Sequence, residues 1–545
     1  MPDEGTSAFE TFVDEIDPIP FVLGAVVTLG FIALAAVRTE WVQQQINTAF
    51  EVFGQGLAWL YLLSVFLIVL VGFWLMFSRY GSLKLGDGDP RYSYFSYFAM
   101  FFSAGLSAGI VFFGPVEALT HYATPSPLFE GVQGETTGAI VPAIAYAIFH
   151  YGVSAWAGYL AIGIPVAYYV YREGAPFRTS TVLYPILGED GLDGVIGKTI
   201  DTLAVVATLG GIATGLGFIA TQLLSGVELQ TGFTFGNVET LLAIVGITVV
   251  FVASLLAGVN RGIRRLSDFN LTMMGILLGV ALILGPTLSV LNTGVAAVGT
   301  YVNNFFTMSL FSGVGTEGGA AWASFWTVFY WSWWIAWAPF VGLFLARISK
   351  GRTIREVVFT AYVAMTSVSI VWFSVVGGTS VWLQHSGAAN LLGPINEYGN
   401  GVAGFVLFDA LPLGEIWTAM FFVLVVTFFA TSADSSTLAV GMLTTGGKAN
   451  PSRINRLFWG VLQGIIASIL VVLGGASALR SSVIITGAPF AVVCLIAVFV
   501  FARHLGKEHG RRLFQEDATW LRQPEQPSER SQTDANAKEV ATDDD

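Results

Sequence analysis

The sequence predicts an all-α polytopic membrane protein of about 12 transmembrane helices, built as two inverted repeats of five spans preceded by an extra pair. Three observations predict it. Of 545 residues, 54% are hydrophobic and 11% charged, where a soluble chain carries roughly 25% charged residues. Many apolar runs reach the about 20 residues that cross a bilayer as a helix. A Gly-rich run and a Trp-rich run sit five spans apart, and unusual helices at matching places in two halves point to inverted repeats. The same composition, with 62 Gly and 43 Phe, excludes an ordinary soluble enzyme and a disordered chain.

Taken in order, the spans fall near 19–37, 57–78, 95–120, 139–171, 199–225, 238–257, 269–291, 323–346, 357–378, 415–440, 455–474 and 478–502. Lys and Arg test this count, because they concentrate in cytoplasmic loops. With the N-terminus inside, 23 of the 25 basic residues are cytoplasmic, and only Arg38 and Arg480 fall in outside loops. One span too many or too few would invert every later loop. Both termini are therefore expected in the cytoplasm of a multi-pass plasma-membrane protein. Residues 1–18 form an acidic tail, 19–502 the transporter domain with repeats at about 95–291 and 323–502, and 503–545 a tail that is basic, then acidic and disordered. The acidic start also lacks the basic region of a cleavable signal peptide. Loops 292–322 and 379–414 are long, rich in Gly and Asn, and suited to short interfacial helices. The net charge of −12 resides mostly in the tails, which argues against nucleic-acid binding. The single Cys494 lies in an apolar run, so there is no disulfide framework or Cys metal site.

Four stretches could carry chemistry. The third span contains Ser103, Gly105, Ser107 and Gly109 at alternate positions. Such small residues permit unwinding, which frees backbone groups for a carboxylate or an ion; they equally suit helix–helix packing. The fourth span reads HYGVSAWAGY over 150–159, with positions 152, 156 and 159 on one helical face and Tyr151 nearby. The eighth holds Trp331, Trp333, Trp334 and Trp337, followed by Pro339, which would loosen the helix. Four Trp in seven residues exceed what interfacial anchoring needs. Aromatic faces from two helices can cage a quaternary ammonium through cation–π attraction of about 0.5–2 kcal/mol per contact; core packing is the competing use. The tenth span holds Thr431, Ser432 and Asp434. Their oxygens suit a hard cation such as Na⁺, unless the hydroxyls bond back to their own helix. Glu117 and His150 could relay protons, or simply bond between helices. No hydrolase set, zinc spacing or phosphate loop stands out, so the chain is not expected to be an enzyme or an ATP-driven pump.

These residues resemble the betaine/carnitine/choline transporter family. The closest match is WTVFYWSWWIAWAPFVGLFLARISKGRTIREVV over 326–358, supported by FFGPVEAL (112–119), HYGVSAWAGY (150–159) and FFATSADSS (428–436). The resemblance implies a LeuT-like inverted-repeat core and a homotrimer in membrane lipid. It implies a quaternary-ammonium substrate (glycine betaine, choline or carnitine), often taken up with Na⁺. By position, the aromatic box would be Tyr151, Trp156, Tyr159 and Trp334, with Trp331, Trp333 and Trp337 lining the adjacent path and Gly105 and Ser107 facing the substrate. A Na⁺ site would use the carbonyls of Ser103, Leu106 and Phe428 and the hydroxyls of Thr431 and Ser432. The sequence departs from the family at Tyr151, where Trp is usual, at Ser107 and Ala108, where many betaine carriers have Gly and Ile, and at Ile212, which replaces a hydroxyl one turn from Thr208. The last departure argues against two Na⁺ per substrate. The resulting expectation is Na⁺-coupled symport of glycine betaine, with no cofactor beyond the coupling ion. A proton-coupled or ion-independent choline or carnitine carrier, and a non-transporting osmosensor that binds the same ligand, are the alternatives.

Overall fold

The computed structural model describes residues 8–105, 107–256, 260–448 and 450–509, and its regular elements there are helices. The first two spans are Pro18–Val37 and Ala58–Phe77, joined by the helix Thr39–Phe50. Pro18 opens the first, where a missing N–H costs nothing because a helix start leaves it unpaired.

The third span comprises Tyr94–Gly105 and Ser107–Ala123. The fourth is broken, into Thr137–Tyr151 and Val153–Glu173. This corrects the expectation of one continuous face through 152, 156 and 159. The reason is local: a β-carbon on Gly152 would lie 2.7 Å from the Tyr301 hydroxyl and 2.8 Å from the Ile148 carbonyl. Glycine lets Tyr301 approach, and the Tyr301 hydroxyl accepts the Val153 N–H at 3.3 Å. The fifth and sixth spans are Val195–Thr231 and Asn237–Leu256.

The seventh span, Asn260–Leu284, ends before the expected residue 291. Gly285 and Pro286 follow, and the chain turns by 109° into Thr287–Leu310. The long external loop is thus mostly one helix of 24 residues rather than a short one. The eighth span runs from Gly319 through a wide π turn at Ser324–Val328 into Phe329–Ile348. Pro339 sits inside this last helix, which continues past it. The ninth span is Ile354–His385 and the tenth Gly414–Leu443.

The last helix, Arg453–Glu508, has 56 residues. At about 1.5 Å per residue it is far longer than one crossing requires. Gly474 and Gly475 divide it, and the backbone of Gly475 (φ 53°, ψ −133°) suits only glycine. Among the described residues, eight helices are long and apolar enough to cross alone. Dividing the last helix adds one. The third, sixth and seventh spans complete twelve, the seventh being bent by 109° into the helix that follows it.

Packing follows the repeat symmetry. The fourth span lies along the eighth, and the third along the ninth; the fifth packs on the twelfth, and the seventh on the tenth. Exchanging the two repeats maps each pairing onto its partner. The fourth–eighth contact depends on Gly163 and Gly342: a β-carbon on Gly342 would fall 2.7 Å from Ile162 Cβ. At the far end of the eighth span a short antiparallel bridge joins two loops. Leu85 N–H donates to Arg352 O at 2.8 Å, Gly351 N–H to Leu85 O at 2.8 Å, and Ile354 N–H to Leu83 O at 3.0 Å. Arg352 lies over the Tyr97 ring at 4.2 Å.

Gly342→Leu is expected to overpack this crossing and cost about 1–3 kcal/mol. Gly30→Ala, with nothing within 4 Å of the new methyl, should lose no stability. Thermal unfolding of both variants in detergent, compared by midpoint, checks the contrast.

Candidate functional site

The rings expected to form a box come together. Tyr151 ends the first half of the fourth span, Trp156 and Tyr159 lie on its second half, and Trp334 comes from the eighth; all four are buried. Ring centroids are 5.2 Å apart for Tyr151–Trp334, 6.3 Å for Tyr159–Trp334 and 5.7 Å for Trp156–Tyr159, each edge to face. That geometry sets positive ring edges against negative faces.

Two of these rings bond to backbone through their polar ends. Trp334 Nε1–H donates to the His150 carbonyl at 3.0 Å, and the Tyr159 hydroxyl donates to the Gly105 carbonyl at 3.2 Å. Gly105 and Gly109 bring the third-span backbone against the rings. A β-carbon at Gly105 would lie 2.5 Å from Trp156, and one at Gly109 would lie 2.9 Å from the Tyr151 hydroxyl. Trp156 Nε1 is buried with no hydrogen-bond partner among the described residues. Ser107's side chain lies outside the described set.

The neighbouring tryptophans divide. Trp333 stacks on Trp334 at 5.6 Å with planes 6° apart, and its N–H donates to Gly211 O at 3.1 Å. Trp337 follows it, edge to face at 6.4 Å, against Gly211 and Gly215. Trp331 turns to the other side and packs on Phe149 at 5.2 Å and His150 at 6.0 Å. Sequence reasoning missed Phe373, 4.7 Å from Tyr151, and Tyr330, stacked on Trp334 at 6.0 Å. Tyr330 was visible as the residue one turn before Trp334. Phe373, on the ninth span, carried no local signal.

At the expected ion site, Thr431 Oγ1 bonds back to Phe428 O at 3.1 Å and Thr427 O at 3.2 Å, and accepts from Asn270 Nδ2 at 3.2 Å. Ser432 Oγ and, beside Thr431, Asn270 Oδ1 are buried without partners among the described residues, oxygens of the kind a hard cation takes. On the fifth span Thr208 Oγ1 is likewise without a partner among the described residues. Asn270 was also missed, although an amide in an apolar span is a sequence signal. Leu106 lies outside the described residues, as do the side chains of Ser103 and Asp434.

A second polar cluster adjoins the rings. Glu117 Oε1 accepts from His150 Nδ1 at 2.6 Å and lies 3.4 Å from His121 Nε2; Glu117 Oε2 accepts from the Tyr330 hydroxyl. His150 Nε2 meets Thr327 Oγ1 at 3.1 Å. The 2.6 Å separation is a hydrogen bond, shorter than the about 3.3 Å expected between two ligands of a tetrahedral zinc. Arg480, expected in an outside loop, is instead buried. The break at Gly474 and Gly475 starts the twelfth span early and carries it inward. Its guanidinium lies 3.9 Å from the Phe325 ring, 4.6 Å from Phe329 and 4.8 Å from Trp326, and donates to Phe325 O at 2.5 Å.

A fourth span broken at Gly152 and packed on an eighth span with a wide turn, around a buried ring cluster in a bundle of apolar helices, is the arrangement of a multi-pass membrane transporter. The betaine/carnitine/choline family transporter model matches residues 20–510, and the chain belongs to that family. The chain is 37% identical to the glycine betaine transporter OpuD of Bacillus subtilis, over 88% of this chain and 93% of that one. It is 36% identical to the ectoine/hydroxyectoine transporter of Virgibacillus pantothenticus, over 82% and 88%. A solved manganese transporter of Eremococcus coleocola has a TM-score of 0.38 at 13% identity, covering 82% of this chain and 86% of that one, too low to assign a fold.

Tyr159→Phe keeps the ring and leaves the Gly105 carbonyl without its donor. A loss of about 1–3 kcal/mol is expected, read as a lower unfolding midpoint in ligand-free protein.

Proposed function

We propose that the protein imports a quaternary-ammonium compatible solute, glycine betaine first, by Na⁺-coupled symport across the plasma membrane, as a homotrimer with both termini cytoplasmic. The observation that carries this reading is the contact of Tyr151, Tyr159 and Trp334 across the fourth and eighth spans. A methylated ammonium has no N–H to donate, so π faces recognise it where a hydrogen-bonding pocket cannot. Trp334 and Tyr159 already bond to backbone through their polar ends, which leaves their faces as recognition surface, while the Tyr151 hydroxyl and Trp156 Nε1 have no partner among the described residues. Relatives of similar identity are named for betaine and for ectoine, so ectoine is the competitor to measure beside choline.

Coupling to one Na⁺ at Thr431 and Ser432 is supported by the unpartnered oxygens of Ser432 and Asn270. The Thr208 hydroxyl lacks a neighbouring hydroxyl at Ile212, which favours a single ion over two.

Uptake of labelled glycine betaine, choline and ectoine into proteoliposomes, with Na⁺ and H⁺ gradients imposed separately, tests the whole reading. Accumulation of betaine driven by Na⁺ alone is expected. Accumulation driven by H⁺ alone would replace the coupling ion, and binding without accumulation would replace the transporter by a sensor. Within that assay, Trp334→Leu should weaken betaine binding at least about tenfold, the loss of one strong cation–π face, while the protein still folds. Unchanged affinity would remove the cage. Thr431→Ala with Ser432→Ala should raise the Na⁺ concentration for half-maximal uptake by roughly tenfold or more. An unaltered Na⁺ response would refute that site.

A further inference from the structure

The Glu117 cluster is absorbed by neither the cage nor the ion site. Its members are nonetheless among the most deeply buried polar groups in the chain: Glu117 and His150 are 0% exposed, His121 1% and Arg480 2%. Ionisable groups inside a membrane protein are costly, and they persist where they do something.

The connections run straight into the cage. Glu117 joins three helices, since it sits on the third span, accepts from His150 on the fourth and accepts from Tyr330 on the eighth. His150 immediately precedes Tyr151 and gives its carbonyl to Trp334. Tyr330 lies one turn before Trp334 and packs on it, and packs on Tyr151 at 5.3 Å. One carboxylate therefore holds together the two cage-bearing segments. Arg480 brings a positive charge from the twelfth span to the same end of the eighth: Phe325, Trp326 and Phe329 sheathe its guanidinium, and Tyr330 of the cluster follows them directly.

The cluster also has a side. Along the eighth span it lies between Phe325 and Tyr330, before Trp334. The opposite end of that helix carries Arg347 and the Arg352 bridge, which the distribution of basic residues places inside. A solute arriving from outside must pass where Glu117, His150 and Tyr330 are in contact.

We propose that Glu117 is a positioning residue that latches the cage shut on its outer side, tying His150 to Tyr330 with Arg480 as buried counter-charge. This rests on the cage reading above, so the test is made to work without ligand. In a Cys494→Ala background, Tyr151→Cys places a thiol directly beneath the latch. A membrane-impermeant maleimide is then applied to each face of oriented vesicles, without solute.

Slow labelling from either face is expected for the parent. Tyr330→Phe, which keeps the ring, and Glu117→Gln should each speed labelling from the outer face by roughly tenfold or more, because each breaks or weakens the tie. Adding Arg480→Gln to Glu117→Gln should bring the rate back to within about threefold of the parent, because removing both charges costs less than stranding one. A merely structural Glu117 predicts no such recovery. Unchanged labelling in Tyr330→Phe and Glu117→Gln, acceleration confined to the inner face, or a double variant no slower than Glu117→Gln would each overturn the proposal. Absence of betaine uptake by the unsubstituted protein would sink the cage reading and leave the labelling result standing.

Discussion

Inside a bilayer, a carbonyl released by a broken helix must find a donor within the protein, because no water is there to serve it. This constraint organises the centre of the molecule. The fourth span is interrupted at Gly152, and polar ends of rings reach backbone carbonyls both beside that break and on the third span. Tyr159 reaches Gly105 and Trp334 reaches His150. The residues that complete the backbone are thus the same residues that offer π faces. Aromatic rings with one polar end meet both needs at once, where phenylalanine could meet only one.

The same logic explains why the glycines cluster where they do. Gly105 and Gly109 let the third-span backbone touch the rings, Gly152 admits Tyr301, and Gly163 and Gly342 let the fourth and eighth spans cross closely. Without a hydrophobic drive between helices in lipid, close packing and internal hydrogen bonds supply the association. The polar groups are arranged in two regions with different degrees of satisfaction. Around Glu117 the carboxylate oxygens are engaged by His150 and Tyr330. Around Thr431 several oxygens are left without partners. The first arrangement holds an existing geometry, whereas the second suits the arrival of something positively charged.

Much of this was legible from sequence. The apolar runs and the basic loops set twelve spans, because hydropathy and charge act over whole segments and survive local detail. The box residues were legible too, since Tyr151, Trp156, Tyr159 and Trp334 stand in dense aromatic blocks. What escaped depends on three-dimensional approach. The break at Gly152 comes from Tyr301, about 150 positions away, and no local pattern announces it. Phe373 and Asn270 arrive from the ninth and seventh spans, and only the fold places them beside Tyr151 and Thr431. That Arg480 is buried in a helix rather than in a loop follows from the helix break lying at Gly474 and Gly475, before it.

The backbone bridge between Leu83–Leu85 and Gly351–Ile354 fastens the Arg347 end of the eighth span to the loop that follows the extra pair of helices. Three backbone hydrogen bonds and the stacked Arg352 anchor that end, while the wide turn at Ser324–Val328 departs from regular helix at the other. The eighth span thus has one pinned end and one less regular end, with Tyr330 and Trp334 between them. Any tilt of this helix would pivot about the bridge, which gives the helices outside the repeat symmetry a mechanical role as a fixed point for the aromatic face.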